Sequence, residues 1–134
     1  MISHWLMGVV LVGTLVCGGS CSGPTISAEE GNVLAALSNI QESLESNVSY
    51  EEFIELLKQA KMEIDRLKSN ADNNPCFLGA VDKCFAFYDT GGKAWRQKMD
   101  TTDETRKNDM DLTLSVLQSR AALSIQLAGN CYQN

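Results

Sequence analysis

The chain has 134 residues, with 17 Asp and Glu against 11 Lys and Arg, and carries a formal net charge of -6. That balance argues against nucleic-acid binding, because neutralising phosphates needs a surplus of Lys and Arg. It disfavours an anionic membrane surface for the same reason.

The chain opens with an apolar run, Ile2 to Val16, followed by Cys17-Gly-Gly-Ser-Cys-Ser-Gly23. Trp5 to Val16 fits the apolar core of an export signal. It is shorter than the roughly 20 apolar residues of a membrane-spanning helix. Gly18, Gly19 and Gly23 then oppose helix continuation. Met1-Ile-Ser-His4 carries no Lys or Arg, so only a terminal amine is available as the usual leading positive charge. Two processing routes are open. Ser20-Cys-Ser22 supplies small residues before a conventional cut. Alternatively Cys17 or Cys21 takes a lipid, as in bacterial lipoproteins, and the Gly/Ser stretch becomes a tether. Residues 1–23 are therefore expected to be a signal peptide or lipoprotein signal. Residues 24–134, about 110 of them, suffice for one domain with a modest core.

The first helix is expected from Ser27, whose hydroxyl can cap it with Glu30 completing a capping box. Val33, Leu37, Ile40 and Leu44 recur on one face, and Asn47 marks a stop. The second helix starts at Ser49, with Glu52 as a second capping box and Val48 and Phe53 as a staple. Tyr50, Phe53, Leu57, Ala60, Ile64 and Leu67 form its seam. Arg66 and Lys68 suit the negative end of its dipole.

The third helix is expected from Asn74 as cap and Pro75 at the first helical position. Leu78, Val81, Phe85, Tyr88, Gly92, Trp95 and Met99 keep the spacing, with Phe77 and Cys84 flanking the stripe. Gly91-Gly92 costs about 1 kcal/mol per glycine relative to Ala. The apolar phase is kept on both sides of the pair, which predicts a continuous or kinked helix. The fourth helix is expected from Thr101, with Glu104 as a third capping box. Met110, Leu114, Leu117, Ala121, Ser124, Ala128 and Cys131 form its seam. Leu112, Val116, Leu123 and Leu127 form a second apolar face, which predicts that this helix is the most buried. Short loops predict an all-α, antiparallel up-down-up-down four-helix bundle.

In that arrangement Cys76, opening helix three, meets Cys131, closing helix four, and export permits a disulfide; a retained Cys21 is the competing partner for Cys131. Cys84 lies about 12 Å further along its helix. A bridge needs Cα atoms within about 7 Å, so Cys76–Cys84 is excluded. Cys84 is expected to be a small buried hydrophobe.

His4 is the only histidine and lies in the export segment. The mature domain thus lacks Ser-His and Cys-His nucleophiles and His-ligated zinc or haem. No Cys-x-x-Cys-His, phosphate-binding loop or Glu-x-x-His pair is present, so no cofactor or metal is expected. Glu51, Glu52 and Glu55 read as a solvated face beside a helix N-terminus rather than as catalytic groups. Asn47-Val-Ser49 is a glycosylation sequon, relevant to a eukaryotic host.

The expectation is a non-enzymatic, exported bundle, periplasmic, extracellular or lipid-anchored, that binds a protein partner. The alternative is a small apolar ligand held in a slot near Tyr88, Gly92 and Trp95. An enzyme working with carboxylates alone is a third reading.

Overall fold

A computed structural model describes residues 25–70 and 73–132. The segment expected to be an export signal and the lipidation candidates Cys17 and Cys21 lie outside the described residues. Four helices follow in order: α1 (Ala28–Glu45), α2 (Tyr50–Lys68), α3 (Pro75–Asp100) and α4 (Glu104–Asn130). Among the described residues there are no strands, and the helices pack as a bundle. The α1–α2 and α3–α4 pairs make the largest contacts. α3 also packs on α2 and touches α1, whereas α2 and α4 do not approach each other.

Three of the four expected helix starts hold. Ser27 Oγ accepts from Glu30 N at 3.1 Å while Glu30 Oε1 accepts from Ser27 N at 2.9 Å. Ser49 Oγ accepts from Glu52 N at 3.2 Å. Asn74 Oδ1 accepts from Cys76 N at 2.9 Å and from Phe77 N at 3.3 Å, with Pro75 opening the helix. Asn47 takes φ 61° in the turn after α1, a left-handed conformation that Asn tolerates better than most residues.

The fourth start differs. Thr101 closes α3, and Asp103 caps α4 by accepting from Thr105 N at 3.0 Å and Arg106 N at 3.4 Å. Thr101 Oγ1 instead accepts from Asp103 N at 3.2 Å, holding the turn between the helices. Two residues that both favour caps stand two positions apart in sequence, and the carboxylate takes the helix.

The core combines Val33, Leu37 and Ile40 of α1 with Phe53, Leu57, Ala60, Ile64 and Leu67 of α2. α3 supplies Phe77, Val81, Cys84 and Tyr88, and α4 supplies Ala121 and Ala128. The inward face of α3 keeps Val81, Tyr88 and Gly92 of the expected seam but is shifted toward its Phe77–Cys84 edge. Phe77 and Cys84 are fully buried, Leu78 and Phe85 are half-buried, and Met99 is exposed. α3 faces three neighbours, and an i, i+3/i+4 count does not say which edge of a broad stripe lies deepest.

α4 overturns the expectation that it is the most buried helix. Leu114, Leu117 and Ile125 are half-buried, but its second apolar face points outward, with Leu112 68%, Val116 49%, Leu123 54% and Leu127 49% exposed. Its buried residues are Ala121, Ser124 and Ala128. The Ser124 hydroxyl is satisfied by donating to Arg120 O at 3.0 Å.

Cys76 and Cys131 are joined by a disulfide, with Cα atoms 5.8 Å apart and 55 residues between them in sequence. The start of α3 is thereby fastened to the end of α4. Lys98 and Asp111 pair at the opposite ends of the same two helices. Closing a loop of this length stabilises by roughly 4 kcal/mol in the chain-entropy account. Cys131→Ser should therefore lower the unfolding free energy by about that amount. Urea unfolding of the variant beside wild type, with and without reductant, checks it: reductant should shift wild type toward the variant and leave the variant unmoved.

Candidate functional site

Tyr88, Gly92 and Trp95 occupy successive turns of α3, but the space beside them is filled. Trp95 packs against two rings of α2, with centroids 5.6 Å from Tyr50 and 5.4 Å from Phe53. A Cβ placed on Gly92 would stand 3.2 Å from Phe53 Cε1 and 3.5 Å from both Ile54 Cδ1 and Leu57 Cδ1. Gly92 is thus where α2 closes on α3. A Cβ on Gly91 would face α4 instead, 3.8 Å from Leu114 Cδ2 and 3.9 Å from Leu117 Cδ1. One glycine of the pair serves a tight crossing and its neighbour an ordinary one, and α3 remains continuous through both. The void that Tyr88 and Trp95 share with Leu44 and Leu117 measures about 10 Å³. That is room for about one water, so an apolar ligand there would have to displace side chains.

Cys84 is the free thiol among the described residues and is fully buried. Burial pushes its pKa up to about 12, which leaves it without thiolate character at neutral pH. Burial likewise raises Tyr88, with smaller contributions from the charges of Cys84 and Glu45. The Tyr88 hydroxyl is buried without a protein partner. A cleft of about 230 Å³ lies between α1 and α4 above it, walled by Gln41, Glu45, Ser115, Gln118 and Ser119.

The disulfide end of the bundle holds a polar knot absent from the sequence reading. Glu30, buried at the start of α1, uses one carboxylate oxygen for its own cap. The other accepts from the Tyr132 hydroxyl. The Tyr132 ring lies on Phe77, with centroids 5.9 Å apart. Burial raises the Tyr132 pKa, and its hydrogen bond to Glu30 adds to the effect. The residue after the disulfide thus clamps the start of α1. The capping box exposed Glu30 in sequence, but nothing there marked its second partner 102 residues away.

Two further surfaces bear on contact with other molecules. One is the outward stripe of α4. From Leu112 to Tyr132 the chain has a single charged side chain, Arg120. The other is a cleft of about 420 Å³ at the α1–α2 turn, floored by Val48 and Leu56 and edged by Ser43, Glu51, Glu52 and Glu55. Among the described residues no three His, Cys, Asp or Glu side chains gather as a metal site, and no helix is long and apolar enough to cross a membrane.

No family model matches the chain, and no curated protein or solved structure is significantly similar to it.

Two outcomes follow from these environments. Gly92→Ala should destabilise by about 1–3 kcal/mol, because a Cβ there would stand 3.2 Å from the Phe53 ring, which must shift against Trp95. Gly91→Ala should be neutral or stabilise by up to about 1 kcal/mol, since it gains helix propensity while its methyl meets Leu114 and Leu117 at ordinary contact distance. Thermal unfolding of the two variants side by side decides this.

The second concerns alkaline pH. Cys84 ionises near 9.0 once unfolded and near 12 when folded. The folded state therefore holds more protons between those values. The contribution is complete below pH 9.0 and disappears by about pH 12. The decline is about 1.4 kcal/mol per pH unit. Urea unfolding between pH 8 and pH 11, roughly spanning the onset of this window, should show a shallower fall for Cys84→Ala than for wild type. Parallel curves would show that the thiol is not responsible.

Proposed function

We propose that the protein is an exported, non-enzymatic binding module, an antiparallel up-down-up-down bundle whose α4 stripe receives a protein partner. The observation that carries this reading is the outward exposure of Leu112, Val116, Leu123 and Leu127 along one line of α4. The spacing of four, seven and four residues keeps them on one helical face over about 22 Å. A helix of a soluble bundle ordinarily offers charge to solvent. α4 offers these four side chains, flanked by Ser115, Ser119, Ala122 and Gln126, with Arg120 as the one charge. Fully burying a Leu or Val contributes about 1.5–3 kcal/mol. The stripe is suited to an amphipathic helix of a partner that is itself poor in charge.

Export accords with the apolar run ahead of the Gly/Ser stretch, and with a disulfide as the crosslink of the fold. If Cys17 or Cys21 carries a lipid, the tether enters α1 beside Tyr132 and the disulfide. The turns at Asn47 and Asp100 then face away from the membrane. The absence of His from the mature chain, and burial of its free thiol, are in keeping with a non-enzymatic role.

The test is a variant with Leu112, Val116, Leu123 and Leu127 all changed to Gln. Exposed substitutions shift stability by about 0.5 kcal/mol or less each. The variant should keep its helicity and unfolding midpoint close to wild type. A photo-crosslinking side chain at position 116 in the native cell envelope should join wild type to one dominant protein, and that product should vanish when the other three positions are Gln. A variant that unfolds shows that the stripe is core. Crosslinking that persists moves the contact elsewhere.

A further inference from the structure

The charge of this chain is divided unevenly. Glu29, Glu30, Glu42, Glu45, Glu51, Glu52 and Glu55 all precede Lys58, the first cation in the sequence. The remainder holds ten carboxylates and eleven cations and is close to neutral. The whole negative charge of the protein thus belongs to α1 and the first turns of α2. The α1–α2 turn brings part of it around the cleft floored by Val48 and Leu56.

Three properties of this cleft act together. It is open and holds about 420 Å³, enough for a bulky side chain and part of its backbone. Its floor is aliphatic, with Val48 and Leu56 both half-buried against the core. Its rim is made of carboxylates. Glu51 and Glu55 stand one turn apart on α2, and Glu52 lies one turn before Leu56. Glu55 pairs with Lys58 at 3.3 Å, with both side chains 66% exposed, a weak pair that a competing cation can replace. Among the described residues no cation pairs with Glu51 or Glu52.

We propose that this cleft docks a basic peptide segment of a partner protein, one that sets a Leu-sized apolar side chain on Val48 and Leu56 between flanking Lys or Arg residues. The apolar floor supplies contact area and the acidic rim selects the sign of the flanking charge. Anionic lipid headgroups and nucleic acid are repelled by the same rim. The surface lies on α1 and α2, apart from the α4 stripe, and the inference does not depend on that stripe having a partner. It does accord with the orientation above, since the Asn47 turn is at the end away from the disulfide.

The experiment titrates wild-type protein with a short synthetic peptide carrying two leucines between lysine pairs, followed by backbone amide shifts. Shifts should concentrate at Ser43, Val48 and Glu51–Leu56, and binding should weaken as salt rises. Glu51→Gln, Glu52→Gln and Glu55→Gln combined should weaken binding by about tenfold, the product of three exposed pairs. A peptide with glycine in place of leucine should weaken it comparably, and one with glutamate in place of lysine should not bind. The α4 stripe variant should bind as wild type does, which separates failure of this site from failure of that one. Absence of binding to wild type, an unchanged affinity in the triple variant, or equal binding of the leucine-free peptide each overturns the proposal. The salt dependence is read on wild type alone and so does not depend on the folding of any variant.

Discussion

The Cys76–Cys131 crosslink is the constraint on which the rest of the structure turns. α4 is apolar on two faces, and its own periodicity does not choose between them. The bridge fastens its last turn to the first turn of α3, and Lys98 with Asp111 holds the other ends together. With both ends located, α4 has one rotation about its axis. The line through Ala121, Ser124 and Ala128 faces inward and the line through Leu112, Val116, Leu123 and Leu127 faces out. Tyr132, the next residue, then reaches the buried carboxylate of Glu30 and brings α1 into the same knot.

Small residues on the inward line make this rotation workable. Ala121, Ser124 and Ala128 let α4 lie close to α3, and Gly91 offers no side chain to oppose Leu114 and Leu117. Gly92 does the same for Phe53 and Leu57 of α2, more tightly. The glycine pair therefore spends helix propensity to bring two neighbours near at once. One turn on from Gly92, on the same α2-facing side, Trp95 fills the space against Tyr50 and Phe53. That packing leaves about 10 Å³ where a ligand slot was expected.

The same arrangement explains why the molecule has so little buried chemistry and so much expressive surface. The free thiol among the described residues, Cys84, lies in an apolar interior that holds it protonated. Its buried carboxylate, Glu30, is engaged by a cap and a tyrosine. The outside instead carries an uncharged apolar line on α4 and a carboxylate-edged aliphatic cleft on α1 and α2. The two surfaces lie on different helix pairs, and the disulfide fastens α4 to α3.

The sequence alone determined the four helices and three of their caps, and it favoured Cys76–Cys131 over a pairing of Cys131 with Cys21. Each of these rests on local spacing: a capping residue and its partner three positions on, an apolar repeat of three and four, and cysteines at the ends of adjacent helices. It did not determine which of Thr101 and Asp103 begins α4, because two good caps compete and only the turn geometry chooses. It did not determine which edge of the α3 stripe lies deepest, where Phe77 and Cys84 displaced Leu78 and Phe85. Nor could it turn α4 inward or outward, or join Glu30 to Tyr132. Periodicity places residues on a face, and only the packing of one helix on another decides whether that face meets protein or water.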